Sequence, residues 1–236
     1  MTACPARLAL LALTAWLLTA GAAHAGDLDD CNAEVPAVAP AARALAQAYW
    51  LDGRTVQWPG LTLQAGERLR LHHAEAATLR AVAGELVTGA DGAVDLQPSA
   101  AALPARFRFI GDGPRFAVTA GVDMAALLRE QLLLVHEAAD GRVIAATGLQ
   151  LAGALDDLYA AAERVDDLGA HPTRSNTRFA VWAPTAQRVM LCRHAGAESP
   201  AVAIDAMRLD AATGVWRAEL PGDLSGQAYR YLDPLR

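Results

Sequence analysis

The sequence contains no lysine: all 20 of its basic residues are arginine, and asparagine occurs only at Asn32 and Asn176. Against 26 acidic residues the formal net charge is −6. The arginines are scattered, which excludes the clustered basic face that nucleic acid or an anionic membrane surface requires. Long apolar runs are also missing. The single uncharged stretch from Leu8 to Ala20 would reach about 20 Å as a helix, short of the roughly 30 Å of a bilayer core. There is no Walker A loop, no G-x-G-x-x-G after a strand, no H-E-x-x-H, no C-x-x-C and no G-x-S-x-G elbow. The residues therefore assign no catalytic, cofactor-binding or metal-binding position. What remains is a chain of 236 residues that is 53% hydrophobic and 19% charged, a composition that supports a packed core and excludes wholesale disorder.

Arg7, the apolar stretch and Ala23-His24-Ala25 form the pattern of a secretory signal peptide over residues 1–25. The expected mature chain begins at Gly26, is secreted or periplasmic, and has no membrane segment after cleavage. Residues 26–44, with Asp27, Asp29, Asp30 and Glu34 followed by an Ala/Pro stretch, read as a flexible tail. Of the three cysteines, Cys31 and Cys192 remain after cleavage. An oxidising compartment permits a bond between them. The favoured reading is a tail thiol and a strand thiol that never meet, because Cys31 falls in the tail.

Short strands separated by turns dominate from Ala48 onward. Arg68 to His72 alternates with period two, Asp91-Gly92 turns into Ala93 to Leu96, and Phe107 to Phe109 and Phe116 to Val118 flank the Gly111-Asp112-Gly113-Pro114 turn. Asp123 can cap a short helix over Met124 to Arg129, and Ala154 to Glu163 is the best helix candidate. Leu132 to His136 and Val143 to Thr147 pair through Asp140-Gly141. A second unit begins near Leu168, with strands over Thr177 to Ala183, Arg188 to Cys192, Val215 to Leu220 and Ala228 to Leu232. The fold class is mostly β, in two β-rich domains at residues 45–160 and 168–236, joined by a linker at 161–167. The second domain is an immunoglobulin-like sandwich, incomplete at about 65 residues against the usual ~100.

The polar pairs carry little chemistry. His72 and His73 are strand neighbours whose side chains point to opposite faces, so they read as an exposed pair and not a chelate. Asp156-Asp157 and Asp166-Asp167 read as solvated faces rather than the spaced carboxylates of a glycosidase. The tryptophans are more informative, since sugar rings stack their C–H faces on flat aromatics. Trp182, inside an alternating strand, is expected in the core. Trp58, before Pro59-Gly60, and Trp216, after a turn, are the candidate carbohydrate-binding residues.

Several blocks carry a family resemblance: Ala48-Tyr49-Trp50, Leu96-Gln97-Pro98, Leu103-Pro104, Phe107-Arg108-Phe109-Ile110, Thr147-Gly148-Leu149-Gln150-Leu151 with Gly153 to Tyr159, and Trp182-Ala183-Pro184-Thr185-Ala186-Gln187. In order and spacing they resemble the N-terminal region of pullulanase-type α-1,6-glucosidases and limit dextrinases, across about residues 45–232. The resemblance implies a pullulanase N-terminal β-rich domain, then an isoamylase-type carbohydrate-binding-module sandwich. In the family a (β/α)₈ barrel with the catalytic carboxylates follows. A barrel needs about 250 residues, and none of its catalytic positions has a counterpart here. The implied partners are α-glucans such as pullulan, limit dextrin or glycogen, and the missing barrel. The function implied is the non-catalytic part of a secreted debranching enzyme or, alternatively, a free-standing α-glucan-binding module.

Overall fold

The computed structural model describes residues 25–33 and 46–233. The expected signal peptide lies outside the described residues apart from Ala25, as do residues 34–44 of the expected tail.

The first unit is one sheet of eight strands: β1 (Ala48–Trp50), β2 (Thr55–Gln57), β3 (Arg68–Ala74), β4 (Gly92–Pro98), β5 (Arg115–Val118), β6 (Gln131–Glu137), β7 (Val143–Thr147) and β8 (Leu149–Gln150). Their spatial order is β7-β6-β3-β4-β5-β2-β1-β8. The two end strands are consecutive in the chain, separated only by Gly148, so the sheet must curl until its edges come together. The Thr147 hydroxyl accepts from the Gln47 amide at 2.8 Å across that closure. All pairs are antiparallel except β1 with β8. Period-two alternation aims Trp50, Val56, Leu69, Leu71, Phe116 and Leu134 into one core. Helix α2 (Met124–Leu127) closes that core from one side and begins as the sequence suggests, with the Asp123 carboxylate accepting from the Ala126 amide.

The second unit is a sandwich of a four-stranded and a three-stranded sheet. The first contains β9 (Gly169–Pro172), β10 (Asn176–Trp182), β13 (Arg208–Asp210) and β14 (Val215–Pro221), in the order β13-β14-β10-β9. The second contains β11 (Met190–His194), β12 (Ala201–Ala206) and β15 (Ala228–Leu232), in the order β12-β11-β15. Phe179, Val189, Leu191, Met207 and Trp216 fill the space between them. The chain is thus mostly β, with an immunoglobulin-like second unit.

Three local expectations are corrected. Phe107 to Phe109 do not form a strand: Ala105–Phe107 is a 3₁₀ turn behind Pro104, held by the Arg106 guanidinium, which donates to the carbonyls of Leu51 and Gly153 and to Asp157. The helix expected over Ala154 to Glu163 is α3 (Ala152–Leu158), which breaks at Tyr159 into a 3₁₀ turn over Ala160–Arg164. His72 is buried, not exposed. It meets Glu137 at 2.6 Å, Arg68 donates to the same carboxylate at 2.8 Å, and His73 reaches Glu130 on its own side.

The reading of Cys31 as an unpaired tail thiol is also corrected. Ala25–Asn32 forms helix α1 against β12, and Cys31 is disulfide-bonded to Cys192 in β11. The Asn32 side chain accepts from the Ala201 amide, and Arg230 donates to the carbonyls of Asp30 and Ala33. Sequence distance concealed this: the partners are 161 residues apart, with the entire first unit between them.

Two outcomes are expected. Cross-linking a loop of this length restricts the unfolded chain by up to about 5 kcal/mol in the chain-entropy model. Cys192→Ser should therefore lower the calorimetric melting temperature and abolish its sensitivity to dithiothreitol; an unchanged melt would contradict a formed bond. Glu137→Ala strips Arg68 and His72 of their shared counter-group. Because Arg68 is half-exposed, the cost should sit at the low end for such groups, about 2–3 kcal/mol, read as a lower urea midpoint.

Candidate functional site

The antiparallel register of β10 and β14 sorts the tryptophans. Val181 lies opposite Trp216, and Trp182 lies opposite Val215. Directly opposed residues share a face and successive residues alternate. Phe179, Val181 and Trp216 therefore face the sandwich interior, while Trp182 and Val215 face outward. Trp216 is 6% exposed, with its indole N–H donated to the Ala183 carbonyl at 2.9 Å. Trp58 is 7% exposed in the core of the first unit, where Gly113 packs against its carbonyl. Neither candidate offers an open ring face: the exposure expected of Trp58 is corrected, and Trp216, which the sequence left between core and half-exposed, lies in the core. Trp182, expected in the core, is 39% exposed.

Trp182 is held by a sequence of local contacts. The Asp210 carboxylate accepts from the Ala212 amide and the Thr213 hydroxyl. Those bonds hold the Asp210 pKa below its ordinary value, the Thr213 hydroxyl contributing most. They organise the turn into β14, where Gly214 adopts φ +71°. A Cβ there would fall 2.6 Å from Cβ of Pro184 and 3.1 Å from the Tyr159 ring. With the turn so fixed, the Thr213 carbonyl accepts the Trp182 indole N–H at 3.0 Å. The polar edge of the ring is satisfied internally, and its apolar surface is what remains toward solvent.

Trp182 forms one wall of a groove of about 280 Å³ at the junction of the two units. Val215 and Leu168 continue that wall. Opposite stand Tyr159, Val165 and the 3₁₀ turn after α3, with Asp156 and Glu163 at the rim. Tyr159 is 3% exposed, burial pushes its pKa upward, and its hydroxyl makes no hydrogen bond among the described residues. The Glu163 carboxylate likewise has no partner there. Asp156 stands 3.9 Å from Arg106. A larger recess, about 400 Å³, also takes its lining from both units, and Gln187 in that lining donates to the carbonyls of Glu75 and Arg129 at 2.7 and 3.0 Å. The last residue of the W-A-P-T-A-Q block is therefore a pin between units. Beside the groove, Arg217 grips Asp167 with two hydrogen bonds of 2.7 and 2.9 Å. Sequence reasoning missed both contacts. It treated Asp166-Asp167 as a solvated pair, and nothing local marks a residue fifty positions away as the partner.

Among the described residues, no helix is long and apolar enough to cross a membrane, and no group of three or more His, Cys, Asp or Glu could hold a metal ion.

Comparison with known proteins accounts for both units. Residues 45–157 match the Pullulanase N2 domain, and residues 167–232 match carbohydrate-binding module 48, the isoamylase N-terminal domain. The chain is 32% identical over 190 residues to a pullulanase of Klebsiella pneumoniae, covering 80% of this chain and 17% of that protein. It is 31% identical over 191 residues to the chloroplastic pullulanase 1 of Arabidopsis thaliana, covering 78% and 19%. It also resembles the crystal structure of Klebsiella pneumoniae pullulanase complexed with maltotriose, with a TM-score of 0.67 at 34% identity, over 80% of this chain and 18% of that one. The chain thus spans less than a fifth of the length of these curated relatives.

The Arg217 hydrogen bonds hold the Asp167 carboxyl below its ordinary pKa. A carboxyl depressed in the folded state adds stability above the unfolded value of about 3.9, and that stability is lost as pH falls through the folded value. Thermal melts taken downward from neutral pH should show the second unit losing stability below about pH 4. Asp167→Asn should lower the neutral-pH melt and flatten that acid limb; an acid limb as steep as in the parent would contradict the assignment.

Proposed function

We propose, from a chain that belongs to the Pullulanase N2 family over residues 45–157 and to carbohydrate-binding module 48 over residues 167–232, that it serves as the non-catalytic portion of a pullulanase-type debranching enzyme. The enzyme's reaction would be hydrolysis of α-1,6-glucosidic bonds in pullulan, limit dextrin or glycogen, carried out by a catalytic barrel that these residues accompany. The observation that carries this reading is the two domains in the same order and spacing as the quoted sequence blocks, at 31–32% identity to pullulanases of a bacterium and a plant. The domain limits we adopt are 45–160 and 168–236, with the linker at 161–167.

Export to an oxidising compartment belongs to the same proposal. It is supported by the signal-peptide pattern of residues 1–25 and by the Cys31–Cys192 disulfide, a bond that the reducing cytosol disfavours.

A second reading, that the chain itself holds α-glucan, is favoured by one observation: the outward face of the module carries Trp182 as an exposed indole with its N–H already satisfied. In a reducing-end assay on pullulan the purified chain is expected to show no turnover, and measurable hydrolysis would overturn the non-catalytic assignment. Glycogen in a native gel should retard the chain if the second reading holds, and unretarded migration would remove it.

A further inference from the structure

We propose that the groove between α3 and the β10–β14 face is an α-glucan site, with Trp182 as its stacking platform and Glu163 as its hydroxyl acceptor; the inference rests on the glucan-holding reading above. Three features converge there. The first is an apolar ring held in place: among the described residues Trp50, Trp58 and Trp216 are buried, so Trp182 is the tryptophan with an open surface, and its bond to Thr213 fixes the ring plane. The C–H face of a pyranose covers such a surface with little loss of side-chain entropy, because the ring is already immobile.

The second feature is polar capacity in excess of internal need. Glu163 is exposed at the rim with no ion-pair or hydrogen-bond partner among the described residues. A carboxylate accepts through two oxygens, and sugar hydroxyls can donate to one that has no ion pair among the described residues.

The third feature is shape. The groove is small, about 280 Å³, near the lower limit of cavities that enclose a small organic ligand. It has one platform and not a flat row of aromatics. A curved α-linked chain can lay a sugar unit on Trp182 and turn away over the rim, whereas a flat β-1,4-linked ribbon needs a planar track. The site also takes accessible lining from both units: Ala160, Glu163 and Val165 before the second unit, Leu168 and Trp182 within it. Glucan bound there would resist separation of the units.

Titrating the full chain with maltoheptaose while following indole fluorescence tests this directly, with cellohexaose as the control. Maltoheptaose should shift the emission and cellohexaose should not. In glycogen gels, Trp182→Ala should weaken retention about tenfold and Glu163→Ala severalfold, with Trp58→Phe unchanged. If Trp182→Ala fails to fold, Glu163→Ala and a groove-filling Ala160→Arg decide. Glycogen retention undiminished in these variants overturns the site while leaving the glucan-holding reading intact, as would a response to cellohexaose equal to that of maltoheptaose. Absence of any retention by the parent chain overturns both, and leaves the Trp182 face as a surface for the catalytic barrel.

Discussion

Pro184 and the Tyr159 ring come together over a residue with no side chain. Gly214, at φ +71°, occupies the one point where α3, the residues after β10 and the turn into β14 converge, and any Cβ there would collide with Cβ of Pro184. Much of the junction follows from that approach. The turn that Gly214 allows presents the Thr213 carbonyl to Trp182, and the outward face of β14 comes to lie beside the 3₁₀ turn that ends the first unit. Gln187 adds two hydrogen bonds to main-chain carbonyls of the first unit. Side-chain bonds to main-chain carbonyls and the close approach at Gly214 thus both join the units.

The curled sheet and the sandwich solve the same problem differently. The first unit brings its end strands together through Gly148, so its edge hydrogen-bonding groups are partly covered by its own chain. The second leaves β15 and β12 at the margins of its three-stranded sheet, and α1 lies against β12, held by sulfur, by Asn32 and by Arg230. A sheet margin that is covered or bonded is less available to pair with another chain. The helix read from the sequence as part of a tail is therefore a cover for the second unit.

Legibility of the fold tracked the range of the interactions. Strands β3, β10, β11, β14 and β15 announce themselves by alternation, β4, β5, β6 and β7 by the turns that flank them, and Asp123 announces its helix by capping chemistry, since these signals are local. Strands β9, β12 and β13 are short or Ala-rich and carry no such signal; they form because β10, β11 and β14 offer them edges. The site was half-legible. The alternation that turned Phe179 and Val181 inward already required Trp182 to face outward, so parity contained the answer that a preference for buried aromatics overrode. Trp58 and Trp216 could not be placed by turn proximity, because the core residues packed with them, such as Phe116 and Leu134 for Trp58 and Val189 and Leu191 for Trp216, come from distant segments. The disulfide was the least legible element of all, since chain connectivity says nothing about which surfaces meet.

That same bond changes how the molecule carries load. The covalent path from Cys31 to Cys192 bypasses every residue between them, including all eight strands of the first unit. Tension applied ahead of Cys31 and resisted beyond Cys192 would travel through the sulfur bridge into β11 and leave the curled sheet slack. The first unit, with β9 and β10, lies in a covalently closed loop shielded from pulling, and only the chain from β11 onward lies in series with the force.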